Sequence, residues 1–331
     1  MQTRLLSAED VTQNTTIGDV VDAVEAAFAA YARGDVQMPA KSYIDLPQYN
    51  GDFRSMPAYM DAGEWDAAAV KWVNVHPDNE EEFGLPTVMG TIIYSDPENA
   101  FPLALIDGTT ITRMRTGAAA AVATRHLAPA DATSLGLVGA GTQAYAQLRA
   151  ISTVRDIESV VVSDVDPEAV AAFIDTFEND YDVQEGSIEE AANCDVLSTL
   201  TPVREPIVEE VGPSTHVNAM GADAAGKHEI ADAILEDATL VIDDYEQCTH
   251  SGEINVPWSE GLLDDDDIYA ELGDIVTDAI PGWGESGGPD GVTVFDSTGL
   301  AIQDVAAAHV AYEQAEAADA GTLFSLVGTE I

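Results

Sequence analysis

Ser134-Leu-Gly-Leu-Val-Gly-Ala-Gly-Thr-Gln-Ala144 is the stretch on which the fold turns. A short apolar run, Leu135 to Val138, ends in Gly139-Ala140-Gly141-Thr142-Gln143-Ala144, and a helix-compatible segment, Tyr145 to Ile151, follows. Strand, glycine turn and helix in that order give a glycine-rich fingerprint its physical meaning. Gly139 permits the tight turn, Gly141 lets a pyrophosphate approach the backbone, and Ala144 lets the helix pack close to the strand with its N-terminus toward the anion. A second strand-like run, Ser159-Val-Val-Val-Ser163, ends at Asp164, 23 positions after Gly141. That spacing suits a carboxylate on the adenosine ribose hydroxyls of a dinucleotide.

Outward from this stretch the pattern divides. Downstream, strand-like and helix-like segments alternate: Pro167–Glu178, a short strand around Val183, Ile188–Ala192, Asp195–Thr199, His216–Ala219, Glu229–Glu236 and Thr239–Asp243. Such alternation predicts an α/β domain with a doubly wound parallel sheet of Rossmann type. Thr293-Val-Phe295 reads as a last strand and Ala301 to Ala318 as a final helix. Upstream, residues 7–34 read as a helix opened by Ser7 and ended by Gly34. Strand-like pieces follow at Lys41–Leu46, Phe53–Ala58, Ala68–Asn74, Thr87–Tyr94, Phe101–Asp107 and Thr110–Met114. They predict a sheet of about six strands in an α+β region. The last helix follows the nucleotide domain, so the upstream domain is expected to be discontinuous.

The chain has 331 residues with 60 acids against 12 bases, a formal net charge of −48. Nucleic acid is excluded as a partner on this count, because phosphate neutralisation needs bases. No apolar run is long enough for a transmembrane helix, and the N-terminus lacks a secretory pattern, so a cytoplasmic protein is expected. Cys194 and Cys248 predict neither a disulfide framework nor a zinc site, and the six histidines show no metal-ligand spacing. Ordinary hydrophobic content (46%) argues for a folded chain whose acidic surface is adapted to high salt, where the Debye length falls to about 3 Å and self-repulsion is screened.

The same bias makes each base informative. There are three lysines, Lys41, Lys71 and Lys227, and five of the 12 bases lie between residues 41 and 115: Lys41, Arg54, Lys71, Arg113 and Arg115. Arg54 and Lys71 fall on strands and read either as surface bases or as a clamp for a substrate carboxylate. Arginine makes two parallel hydrogen bonds to such a group, and a desolvated lysine can also move a proton. Strand alternation would put Arg113 and Arg115 on one face, with Thr116 and Gly117 at a helix N-terminus suited to an anion. Asp223 lies in a loop beyond a strand of the nucleotide domain, where ligands of open α/β sheets sit. It reads either as a plain loop acid or as a group that binds ammonium or passes a proton to water. Thr199-Leu-Thr-Pro202, after another strand end, is expected to line the cofactor.

Taken together, Met38-Pro-Ala-Lys-Ser-Tyr43, Phe53-Arg-Ser-Met-Pro-Ala58, Val70-Lys-Trp-Val-Asn-Val-His-Pro77, Gly84-Leu-Pro-Thr-Val-Met89, Met114-Arg-Thr-Gly-Ala118, the glycine stretch, Asn218-Ala-Met-Gly-Ala-Asp223 with Gly226-Lys227, Gly252-Glu-Ile-Asn255 and Phe295-Asp-Ser-Thr-Gly-Leu-Ala-Ile-Gln-Asp304 resemble the ornithine cyclodeaminase/μ-crystallin family. Within it they look most like the archaeal alanine dehydrogenase branch. Cyclodeaminases carry an acid near the Met-Pro dipeptide and an arginine after the earlier proline. Here Arg54 precedes Ser55-Met56-Pro57, and the earlier site reads Pro39-Ala40-Lys41.

The resemblance implies a homodimer with a substrate and dimerisation domain, residues 1–116 and 305–331, and an NAD-binding Rossmann domain, residues 117–304. It implies NAD-dependent oxidative deamination of L-alanine to pyruvate and ammonium, with an amino-acid or 2-oxo-acid substrate. Lys71 and Asp223 would be catalytic; Arg54, Lys71 and Arg115 would bind substrate. Arg115, Thr116, Gly139, Gly141, Thr142, Gln143, Asp164, Thr199, Thr201, Pro202, Met220, Gly221 and Ser297 would bind the cofactor. Asp164 would repel a 2′-phosphate and Asp166 supplies no base to hold one, which favours NAD over NADP. The alternatives are an ornithine cyclodeaminase or cyclic ketimine reductase, and a non-catalytic nucleotide-dependent binding protein like μ-crystallin.

Overall fold

The computed structural model describes residues 1–328. Its strands, in chain order, are β1 (Thr3–Leu6), β2 (Val36–Gln37), β3 (Ser42–Leu46), β4 (Gly51–Asp61), β5 (Asp66–Val75), β6 (Val88–Ser95), β7 (Pro102–Asp107), β8 (Ser134–Val138), β9 (Ser159–Ser163), β10 (Asp182–Glu185), β11 (Val196–Thr199), β12 (His216–Ala219), β13 (Thr239–Ile242), β14 (Ile268–Glu271), β15 (Thr293–Asp296) and β16 (Thr322–Phe324). The α-helices are α1 (Ala8–Asn14), α2 (Ile17–Arg33), α3 (Asn79–Phe83), α4 (Gly108–Leu127), α5 (Thr142–Ile151), α6 (Pro167–Phe177), α7 (Ile188–Ala192), α8 (Asp232–Asp237), α9 (Tyr245–Ser251), α10 (Asn255–Glu260), α11 (Leu272–Val276) and α12 (Ala301–Ala317).

The chain divides into two compact units, Met1–Arg115 with Leu300–Ile331, and Thr116–Gly299. The crossings fall at Arg115/Thr116 and Gly299/Leu300, against the expected 116/117 and 304/305; residues 329–331 of the expected last segment lie outside the described residues.

In the first unit an eight-stranded sheet runs in the order β16-β1-β7-β6-β5-β4-β2, with β3 also paired to β4. Strand alternation gives it two unlike faces. On β5, Ala67, Ala69, Lys71 and Val73 are buried on the face against which α12 packs, while Trp72 on the other face is exposed. The β4–β5 register pairs Met56 with Lys71 and Arg54 with Val73, so Arg54 and Lys71 are diagonal neighbours on the covered face. The expected helix over 7–34 is two helices. Ser7 and Asp10 form a reciprocal capping box that starts α1, and the chain breaks at Thr15-Thr16, both in extended conformation, before α2 begins. β1, β2 and β16 were not foreseen in the sequence.

Thr110–Met114, expected as a strand, is helical and belongs to α4. The β-branched Thr110, Ile111 and Thr112 suggest a strand, but Asp107 overrides them: its Oδ2 accepts the Thr110 N–H at 2.8 Å, the bond of an N-cap to the third helical residue. Residues two apart on a helix lie on different faces, so Arg113 and Arg115 do not share one. Thr116 and Gly117 are not at a helix N-terminus but inside α4, where Thr116 is buried.

The second unit is the expected doubly wound sheet. Its strands run β10-β9-β8-β11-β12-β15-β13-β14, every neighbouring pair parallel. The central strands β8, β11, β12 and β15 are buried nearly throughout, as apolar strands covered on both faces must be. β8 pairs with β9 on one side and β11 on the other, so the strand order reverses there. That reversal opens a crevice at the carboxyl ends of the strands.

Candidate active-site residues and cofactor cradle

In the second unit the loops after β8, β9, β11, β12 and β15 bring together most of the residues picked out as cofactor ligands. Gly139 directly follows β8 with φ +105°, a region that L side chains avoid, and a Cβ there would also meet Leu200 O at 3.2 Å. Gly141 is the N-cap of α5 and has no side chain to satisfy the first-turn N–H groups; nothing lies within 4 Å of where its Cβ would be. Thr142 and Gln143 open the helix, and Gln143 Oε1 is a buried acceptor without a hydrogen-bond partner among the described residues. Uncapped N–H groups at a ten-residue helix, approached over bare backbone, fit a pyrophosphate.

Asp164 follows β9. One of its oxygens accepts the Ala140 N–H at 2.6 Å and the other the Asp166 N–H at 2.9 Å, which fixes the carboxylate beside the glycine turn. Two loops away, Thr201 receives support that the sequence did not reveal. Its N–H and hydroxyl both donate to Glu229 Oε1 at 2.7 Å. Gly221 makes room for that carboxylate: a Cβ on it would lie 2.1 Å from Glu229 Oε2 and 2.4 Å from Thr201 O. Glu229 is fully buried, and desolvation raises its pKa. Glu253, also buried, takes the N–H groups of Glu229 and Ile230, and its pKa rises well above the usual range through burial and then the neighbouring Glu229. These acids are structural anchors of the Thr199–Pro202 and Met220–Gly221 loops.

Ser297, after β15, is turned inward. Its hydroxyl donates to Asp243 Oδ2 at 2.8 Å, and Gly299 N–H donates to the same oxygen at 2.9 Å. Asp223, four residues beyond β12, is partly exposed and ion-paired with Lys227 at 2.6 Å.

In the first unit Lys71 is buried to 1% side-chain exposure. Its Nζ stands 2.8 Å from each oxygen of Asp304, with hydrogen-bond geometry to Oδ1, and 3.3 Å from Thr112 Oγ1. Arg115 approaches the same carboxylate, Nε to Oδ1 at 3.3 Å, and donates to Gln303 Oε1 at 3.1 Å. Burial pulls the Lys71 pKa down to about 8; the Asp304 carboxylate opposes that shift and the Arg115 guanidinium adds to it. A buried amine poised near neutral pH is equipped for proton transfer. Arg54, on the neighbouring strand, has Nε and a terminal nitrogen on Asp52 at 3.0–3.3 Å and its guanidinium over Tyr43. Asp304 is not among the site residues expected from sequence; the signal it carries is an acid at the start of an otherwise apolar and amide-bearing helical turn, Ala301-Ile302-Gln303-Asp304-Val305.

The model of the ornithine cyclodeaminase/mu-crystallin family matches residues 1–319. Alanine dehydrogenase of Archaeoglobus fulgidus is 43% identical over 325 residues, covering 97% of this chain and 98% of that protein. The structure of an archaeal alanine dehydrogenase dimer with bound NAD superposes with a TM-score of 0.92 at 42% identity, over 99% of this chain and all of that one. Thermococcus litoralis Δ1-pyrroline-2-carboxylate reductase, solved with NADH and L-proline, gives a TM-score of 0.91 at 35% identity, over 97% and 99% of the two chains. A family model that spans nearly the whole chain, together with this level of identity, means that the chain belongs to the ornithine cyclodeaminase/mu-crystallin family.

Proposed function

We propose that this protein is an NAD-dependent amino-acid dehydrogenase that interconverts L-alanine, water and NAD with pyruvate, ammonium, NADH and a proton. The observation that carries the reading is 43% identity to the A. fulgidus alanine dehydrogenase across 97% of the chain. In this reading the second unit would hold NAD: Gly139, Gly141, Thr142 and Gln143 would take the pyrophosphate, Asp164 the ribose, and the loops of Thr199, Thr201, Pro202, Met220, Gly221 and Ser297 the rest. A nicotinamide held there would supply the hydride acceptor for oxidation of the substrate α-carbon and, reduced, the donor for the reverse direction.

This chain's side chains do the rest. Arg54 and Arg115 orient the substrate carboxylate, and Lys71 Nζ holds a proton near the carboxylate and the reacting carbon. The Asp223 carboxylate takes a proton from the water that adds to the imine carbon and passes one to the departing nitrogen, so that ammonium leaves. Fixing the reactants supplies the largest share, since positioning alone can be worth up to about 7–11 kcal/mol.

The assay is NADH oxidation in molar KCl with pyruvate plus ammonium, with Δ1-piperideine-2-carboxylate, and with neither. Turnover confined to the first supports the dehydrogenase. Turnover confined to the cyclic imine supports a ketimine reductase, the second reading, favoured by the 35% identity to the Thermococcus reductase. Lys71→Ala is expected to lose activity by on the order of 100-fold or more while retaining NADH binding.

We further propose that the protein is a homodimer built on the open face of the first sheet. Pro57, Val70, Ile93, Leu105 and Leu5 pair in register straight across five strands, with Leu5 and Ile93 more than 40% exposed. Exposed Trp72, stacked on Phe53, and Ile44 extend that face. Apolar surface this continuous marks an interface. Light scattering in molar KCl is expected to read twice the 34.9 kDa chain mass. No helix among the described residues is long and apolar enough to cross a membrane; the cytoplasm of a salt-adapted cell is the setting that fits the charge.

A further inference from the structure

Among the described residues of the first unit, Asp304 is the only Asp or Glu that is buried. In a chain with 60 acids, nearly all of them kept in solvent, its position inside the unit needs a reason of its own. Its side chain is 2% exposed and meets two bases: Lys71 from β5 and Arg115 from α4. A buried carboxylate in contact with two cations satisfies the rule that buried charges are paired. It also leaves one positive charge in excess when Lys71 is protonated.

We propose that Asp304 is a positioning residue for the reaction, holding Lys71 Nζ and the Arg115 side chain in fixed relation through one carboxylate. This rests on the assignment of Lys71 as a proton-holding group. The geometry restricts Nζ closely. One N–H donates to Asp304 Oδ1 at 2.8 Å and a second reaches Thr112 Oγ1 at 3.3 Å. The Thr112 hydroxyl hydrogen is committed to Gly108 O at 2.7 Å, so toward Nζ it presents a lone pair. An ammonium has three donors; two are thereby spoken for and one remains for a substrate atom. Arg115 is aligned by the same acid and by Gln303 Oε1, its neighbour on α12. The excess positive charge suits the carboxylate of an amino or oxo acid as the second anion.

The charged groups around Nζ include Asp304 on α12, Arg115 on α4, Lys41 ahead of β3 and, diagonally across on β4, Arg54, while its directly paired strand neighbours Met56 and Ile92 are apolar. Burial is the largest influence and pulls the Lys71 pKa down; of the charged groups, the Asp304 carboxylate is the one that opposes it. An opposite charge at this range moves a pKa by about 1–3 units.

The experiment compares Asp304→Asn, Asp304→Glu and Lys71→Ala in molar KCl, with kcat followed against pH and NADH binding and melting as controls. In Asp304→Asn the limb due to Lys71 is expected to move acidward by about one unit or more, with kcat at pH 8 down on the order of 100-fold and NADH affinity unchanged. A limb that stays in place with kcat within about twofold of wild type overturns the proposal. Should Asp304→Asn fail to fold, Asp304→Glu decides. It keeps the charge but displaces it, so the limb should stay while kcat falls about tenfold; wild-type kcat overturns the proposal. Lys71→Ala separates the two layers. If it turns over normally, the assignment of Lys71 itself is wrong. If it is inactive while Asp304→Asn is unaffected, only the positioning role falls.

Discussion

Asp223 and Lys227 are joined at 2.6 Å across a turn that is not a helix. The turn closes through the Lys227 N–H on Ala224 O at 3.1 Å, and Gly226 takes φ +80° within it. The pair therefore depends on backbone shape, and one of the chain's three lysines is spent on it. Asp223→Ala is expected to lower kcat by on the order of 100-fold or more, since it removes the proposed proton carrier. Lys227→Ala leaves the carboxylate but not its orientation, and a loss of about tenfold is expected. Steady-state rates, with NADH fluorescence as a control for an intact cofactor site, test both. Equal losses would show that Lys227 does more than orient.

Asp164 bonds to Ala140 N–H at 2.6 Å, and its neighbour Val165 is fully exposed. Selectivity for NAD should therefore reside in the acid, and the next position is free to carry a base. Asp164→Ser combined with Val165→Arg is expected to lower kcat/KM for NADH by about tenfold or more, because hydrogen bonds to a charged group contribute roughly 1.5–3 kcal/mol. The same variant should raise kcat/KM for NADPH, since arginine accommodates a 2′-phosphate. An unchanged ratio of the two values would place selectivity elsewhere.

His216 is fully buried in the second unit, with Nδ1 2.9 Å from Thr293 Oγ1 and Nε2 3.2 Å from Asn218 Oδ1. Burial drives its pKa down to about 3, so it is neutral in the fold. A base whose folded pKa is depressed stabilises the fold above its unfolded pKa of about 6.5, and that contribution is lost as pH falls toward 3. The slope for one such group is at most about 1.4 kcal/mol per pH unit. The stability difference between the wild type and His216→Gln should be greatest above pH 6.5 and shrink below it. Denaturant unfolding at several pH values, in molar KCl to hold surface charge effects constant, measures this.

The acidic surface sets a fourth expectation. With net charge −48, the melting midpoint should rise from low salt to molar KCl as self-repulsion is screened. A flat or falling midpoint would remove the reading of salt adaptation.

Much of the second unit was legible because its signals are local. Apolar strands, a glycine turn and an acid at the next strand end sit within about thirty residues in such a unit, and Gly139, Gly141 and Asp164 occur where that logic puts them. Their supports were not legible: Glu229 and Glu253 read as ordinary acids in a chain full of them, and only burial beneath Thr201 and Gly221 sets them apart. Thr110–Met114 is helical against its strand-like composition for a local reason. β-branched residues carry strand propensity, but the Asp107 N-cap outweighs it.

By itself the sequence determined the α/β class, the parallel nucleotide unit, the return of the last helix to the first unit, and the few bases worth attention, because periodicity, glycine chemistry and composition are properties of neighbouring residues. Tertiary structure decided what those bases do. Lys71 and Asp304 are 233 positions apart, and their 2.8 Å contact exists only because α12 packs on β5. No spacing rule relates such residues, and a buried charge acquires its partner only when the fold removes it from water.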